Sequence, residues 1–146
     1  LHERAGSTKV IHLHGELMKA TSSREPNDPN CIITLPEDHL DIKMGDKAKD
    51  GSQLRPFIVW FGESVPMIEP AISEVNKADL LVVIGTSLNV YPAAGLLNFV
   101  NNHCRIYLID PKEVPYDPSL GVHHIMKGAS EGMEELCAML DVEKTL

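Results

Sequence analysis

The residue of this sequence best suited to moving a proton is His14, set in the run Val10 to Leu17, VIHLHGEL. Imidazole is the side chain whose ordinary pKa lies near neutrality, so it can take a proton from a hydroxyl and later return it. An apolar, β-branched start, alternating histidines and then Gly15 predict a short strand ending in a tight turn, with the His14 ring facing a cleft. The bland alternative is a histidine hydrogen-bonded to nearby backbone, and His12, on the same face of such a strand, is read that way. A second chemical group is Gly85, Thr86 and Ser87, which end the apolar run Leu80 to Ile84. Beyond the carboxyl end of a strand, glycine allows close backbone approach and two hydroxyls can hydrogen-bond a ribose or a phosphate. The same tripeptide also makes an ordinary turn. Asp110, Pro111 and Lys112 follow the run Arg105 to Ile109 in the same way, and a carboxylate there can accept from a ribose hydroxyl.

Metal chemistry is not expected. Cys31, Cys104 and Cys137 are odd in number and widely spaced, which makes no disulfide framework. Zinc wants four close thiolate or imidazole ligands, and beside Cys31 the residues Asp38, His39 and Asp41 do not supply the other three. Cys104, at a strand start, and Cys137, on a helix's apolar face, are predicted to be core.

These groups need elements to hold them. Residues 1 to 8 read as a loop. Lys19 to Leu54, with Pro26, Pro29 and Pro36 among polar clusters, reads as a small inserted module or a long loop. Ile32, Ile33, Leu35, Leu40, Ile42 and Met44 would form its apolar cluster. Phe57 to Phe61, FIVWF, predicts a buried strand closed by Gly62, with Phe57 and Trp60 in the core. Ile68, Ala71, Ile72, Val75 and Ala78 predict a helix over about Glu69 to Lys77, with Pro70 in its first turn. Leu80 to Ile84 predicts a strand covered on both faces. A helix over about Ala93 to Asn101 follows Pro92, with Leu96, Leu97 and Val100 inward. Strands are predicted at Arg105 to Ile109 and Val122 to Met126, the latter with structural His123 and His124, on either side of a loop over residues 113 to 121. Ser130 would cap a closing helix whose apolar face is Met133, Leu136, Cys137 and Leu140. Strands alternating with helices after residue 56 imply an α/β fold with a largely parallel sheet.

A chain of 146 residues, 43% hydrophobic, can bury one ordinary core. Its 13 basic and 21 acidic residues, for a net charge of −8, argue against a nucleic-acid surface. No apolar run approaches the length of a membrane span, and nothing reads as a signal peptide. A cytoplasmic setting, with no nucleic-acid and no membrane partner, is the expectation.

Four segments then stand in a telling order: VIHLHGEL, RPFIVWFGE from Arg55 to Glu63, VVIGTS from Val82 to Ser87, and VYPAA from Val90 to Ala94. In order and rough separation they resemble the sirtuins, the NAD-dependent protein deacylases. The opening LHERAG, Leu1 to Gly6, is similar to the loop after that family's Thr-Gln-Asn-(Ile/Val)-Asp motif, which would lie just before Leu1. The resemblance implies the C-terminal part of a bacterial sirtuin: a Rossmann-like sheet, N-terminally truncated, in which 1–146 is a partial catalytic domain. Residues 19–54 would be the family's zinc module without its cysteines, and 55–146 the Rossmann-like part.

It further implies transfer of an acyl group from lysine to ADP-ribose with release of nicotinamide, NAD being the co-substrate and an acyl-lysine protein or peptide the partner. His14 would be the catalytic base. Val59 would set its carbonyl against the acyl-lysine amide, Phe61 would stand beside the acyl group, and Gly62 and Glu63 would meet the peptide, which adds as an extra strand. Gly85, Thr86 and Ser87 would contact NAD, as would Pro111 and Lys112. Asp110, where sirtuins commonly have Asn, would take the adenosine ribose, and Gly128 and Ala129 the adenine. No glycine-rich phosphate loop lies in these residues, so the chain alone is expected to be inactive and, with apolar edges open, prone to self-association. The alternatives are a non-catalytic nucleotide or ADP-ribose-binding module and an inert fragment.

Overall fold

The structure, a computed structural model, describes residues 1–143; the end of the expected domain, 144–146, lies outside them. Two compact units divide the chain, Leu1–Glu69 and Pro70–Leu146.

The first unit is built on three antiparallel strands, β1 (Gly15–Ser22), β2 (Ile33–Thr34) and β3 (Leu54–Ile58), in the order β2-β1-β3. The strand expected to end at Gly15 begins there. Val10 to His12 have no regular structure, and Leu13 and His14 form a turn. Gly15 pairs with Ile58 at a φ of +88°, and a side chain at 15 would run into the Phe57 carbonyl. Glycine is therefore where the two backbones can close on each other and the ladder can start. β3 is likewise displaced from the expected Phe57 to Phe61, because its pairing runs from Leu54 opposite Ser22 to Ile58 opposite Gly15. Pro56 is tolerated because, in this sheet, β3 lies at an edge.

Residues 19–54 hold a small core of Ala20, Leu35, Ala48 and Leu54, with Ile42 packed on it. Of the six apolar residues expected to cluster there, Leu35 and Ile42 do. Ile33 and Leu40 are about half exposed and Met44 is 92% exposed, while Ile32 lines a cleft. A polar knot lies beside this core. Ser22, fully buried, donates to Asp50 Oδ2 at 2.6 Å and accepts from the N–H groups of Arg24 and Glu25; Ser52 donates to Asp50 Oδ1 at 2.7 Å. Buried Thr21 donates to the Pro26 carbonyl at 2.9 Å.

The helix α1 (Ile68–Lys77), which begins at the end of the first unit, leads in the second to three parallel strands, β4 (Leu80–Ile84), β5 (Arg105–Ile109) and β6 (His123–Ile125), in that order, and α2 (Ala129–Glu143) is the last described element. Tyr107, Ile109, Ile125 and Leu136 form the second unit's core, with Leu80, Val82, Met133, Met139 and Leu140 against them. The strand covered on both faces is β5, whose Ile106 to Ile109 are all buried. β4, for which that was expected, lies at the sheet's edge with Ile84 42% exposed. Ala93 to Phe99 winds as 3-10 turns rather than an α-helix, though Leu97 is buried as expected. Ser130 is not the cap of α2: Gly132 N–H already bonds the Gly128 carbonyl at 2.8 Å, so the helix starts at Ala129. Cys137 is exposed and Cys104 half-buried, so neither belongs to the core expected for both. His124 donates to the Asp110 carbonyl at 3.1 Å and His123 stacks near Tyr107, a structural use of both rings.

Candidate functional site

His14 sits exposed in the turn that leads into β1, and its carbonyl accepts the Val59 N–H at 3.0 Å. This bond joins the proton-transfer candidate to the end of β3. A cleft of about 450 Å³ is lined by His12, Leu13 and Gly15 around the turn, Ile32 from the module, and Phe57 to Val59, Glu63, Pro66 and Met67 from the following segment; His14 itself, expected to face a cleft, is not among its lining residues. Of the residues expected at the peptide, Val59 and Glu63 line this cleft. Phe61 stands out of it, 96% exposed, and Trp60 is 53% exposed instead of buried in the core.

His12 does not bond backbone as expected. Its Nε2 lies 2.9 Å from Glu3 Oε1 in the opening loop and 3.9 Å from Glu16 Oε2, while the other Glu16 oxygen, Oε1, takes Lys19 at 2.8 Å. The His12 hydrogen bond, ahead of the weaker charge effects, holds the Glu3 carboxyl below its ordinary range.

Residues 60 to 63 form a turn in which the Glu63 N–H bonds the Trp60 carbonyl at 3.1 Å. Gly62 has φ +88° with open space around it, so glycine is required there by the turn and not by a close approach. Glu63 is already occupied. Arg55 reaches both its oxygens, at 2.6 and 3.0 Å, and the Trp60 N–H adds a third bond at 2.9 Å. Arg55, then the backbone bond, keeps the Glu63 carboxyl below the ordinary range. Arg55 was not among the residues the sequence singled out, although an Arg and a Glu at the two ends of one apolar run are a readable signal.

In the second unit the remaining candidates gather at one place. Ile84 pairs with Ile109, and Ile109 with Ile125, so the residues that follow them emerge together at the carboxyl ends of β4, β5 and β6. These are Gly85 to Ser87, Asp110 to Lys112, and the approach to Ala129 at the start of α2. Gly85 N–H bonds the Ile109 carbonyl at 2.9 Å, Thr86 Oγ1 accepts from Leu88 N–H at 3.2 Å, and Asp110 Oδ1 accepts from Lys112 N–H at 2.9 Å. The space beside Gly85 is open and Ser87 is exposed. Such an edge of a parallel sheet, with hydroxyls and a half-buried carboxylate, suits the sugar and base of a nucleotide. Among the described residues there is no group of three or more His, Cys, Asp or Glu placed to hold a metal ion. No helix among them is long and apolar enough to cross a membrane.

Comparison with known proteins adds the following. The model of the Sir2 family matches residues 1–92. An NAD-dependent protein deacylase of Bacteroides thetaiotaomicron is 60% identical over 140 residues, which are 96% of this chain and 60% of that protein. Among solved structures, a Sir2 homologue in complex with ADP ribose superposes with a TM-score of 0.81 at 38% identity, covering 100% of this chain and 58% of that one. Sir2Tm bound to a propionylated peptide gives 0.75 at 30% identity, covering 97% and 60%. The chain spans about three fifths of the length of the curated relatives it matches.

Proposed function

This chain belongs to the Sir2 family, and from that premise we propose that the whole protein is an NAD-dependent protein-lysine deacylase acting on acyl-lysine proteins or peptides in the cytoplasm. The observation that carries the reading is the hydrogen bond between Val59 and His14, which sets a proton acceptor beside an edge strand able to take a peptide.

Each residue then has a part. His14, exposed in its turn, accepts a proton from a sugar hydroxyl through a ring nitrogen and so makes that oxygen a better nucleophile. Val59 offers its carbonyl to the acyl-lysine amide, Phe61 covers the acyl group, and Gly62 and Glu63 border the peptide. Gly85, Thr86, Ser87, Asp110, Pro111, Lys112 and Ala129 hold the adenosine end of NAD, to which the open, hydroxyl-bearing strand ends are suited. NAD, when bound, supplies the ribose carbon that receives the acyl oxygen and the nicotinamide that leaves. On this reading residues 1–146 are part of one catalytic domain, with 19–54 in the place of a zinc module.

The 146 residues alone are proposed to be inactive, because no glycine-rich phosphate loop lies among them and an unpositioned substrate loses many powers of ten in rate. Their exposed Leu17, Met44 and Phe61 favour self-association. A second reading, nucleotide or ADP-ribose binding without catalysis, is favoured by the gathering of the nucleotide candidates on the second unit's own sheet. One experiment separates the two: nicotinamide release from an acyl-lysine peptide, measured on this chain and on a chain extended N-terminally to the length of its relatives. Turnover by the extended chain supports the deacylase. Nucleotide binding by the extended chain without turnover supports the second reading.

A further inference from the structure

We infer that Arg55 is a positioning residue for the acyl-peptide segment, which it shapes through Glu63. The inference rests on the reading of Val59 to Glu63 as that segment.

Arg55 lies inside β3, paired with Thr21, so its backbone is fixed by the sheet. Its side chain is only 17% exposed, and it spends its donors in three directions. Two go to the two oxygens of Glu63, at 2.6 and 3.0 Å, and the second nitrogen also donates to the Ile58 carbonyl at 3.0 Å. A planar fork that meets a carboxylate at both oxygens fixes direction as well as distance. Glu63 passes this on, since its Oε2 accepts the Trp60 N–H at 2.9 Å while its own N–H closes the turn on the Trp60 carbonyl. The guanidinium carbon also lies 5.9 Å from the centre of the Trp60 ring, within reach of a cation–π contact.

The chain therefore leaves β3 at Ile58, bonds His14 through Val59, and is turned back at residues 60 to 63 by a clamp anchored in the sheet. That clamp decides where the Val59 carbonyl and the Phe61 ring stand relative to His14. Glu63, engaged on both oxygens, serves the peptide by holding this shape and has little left with which to bind it directly.

Trp60 is the chain's lone tryptophan, so its fluorescence reports the clamp. Acrylamide quenching is measured for Arg55→Ala, Glu63→Ala and the double variant of this chain, with far-UV circular dichroism as the fold control. Both single variants should expose Trp60 further, and the double variant no more than either, because the two residues act as one unit. Additive changes, or no change, would overturn the clamp. In the N-terminally extended chain, Arg55→Ala should raise the KM for an acyl-lysine peptide by about tenfold to 100-fold, with kcat and the KM for NAD little altered. Arg55→Lys, which keeps the charge and loses the fork, should fall between, and it serves in place of Arg55→Ala if that variant does not fold. An unchanged peptide KM in an active extended chain would overturn the positioning role. An extended chain without turnover would sink the functional reading instead, and the quenching cycle would still judge the clamp.

Discussion

The Val59 N–H donates to the His14 carbonyl over 3.0 Å, so the turn that carries the imidazole and the segment proposed to face the acyl peptide are one hydrogen bond apart. The bond is between backbone groups, so it survives removal of the ring. His14→Ala in the extended chain should therefore lose turnover of an acyl-lysine peptide to its deacylated product while keeping its circular dichroism and unfolding midpoint. A folded His14→Ala protein with near-normal turnover would remove His14 from its role as base.

Gly15 and Gly62 share a φ of +88° and differ in surroundings. At Gly62 there is open space, so Gly62→Ala should cost only the backbone strain of about 1–2 kcal/mol. At Gly15 an added Cβ meets the Phe57 carbonyl, and the clash comes on top of the strain, for about 3 kcal/mol or more. Urea unfolding of both variants measures the difference. Equal losses would mean that β1 and β3 are not so closely apposed at Gly15.

Asp50 ties the end of β1 to the segment before β3, and its carboxyl is held down to about 2 by the Ser22 hydroxyl first and then by Ser52. A folded-state pKa below the unfolded one contributes stability that is present above the unfolded value and lost as the carboxylate is protonated. Stability should therefore fall between about pH 4 and pH 2, and Asp50→Asn should show a smaller loss across that window while being less stable at pH 7. Unfolding midpoints of the two proteins at several acid pH values, showing parallel losses, would dismiss this role.

Residues 19–54 hold the core of Ala20, Leu35, Ala48 and Leu54 and the Ser22–Asp50 knot, with Cys31 as their one cysteine. The purified protein should contain no stoichiometric zinc, and a chelator should leave its unfolding midpoint unmoved. About one zinc per chain in elemental analysis would contradict the prediction, because a structural site normally needs four ligands.

Local pattern was enough for much of the second unit. LLVVI and RIYLI are β4 and β5 to the residue, and the helical spacing of Ile68, Ala71, Ile72 and Val75 places α1, because alternation and periodicity act within a few bonds along the chain. The ordered motifs from VIHLHGEL to VYPAA likewise sufficed to indicate the family. Tertiary structure alone decided what depends on partners far apart in sequence. Gly15 opens a strand because Phe57 and Ile58 lie against it, and FIVWF stops being a strand at Ile58 because its ladder partner runs out there. Trp60 and Phe61 are exposed although their composition says core, since the Arg55–Glu63 clamp turns the chain outward at that point. Register and ion pairs are relations between two positions, and a pattern read along one segment contains only one of them.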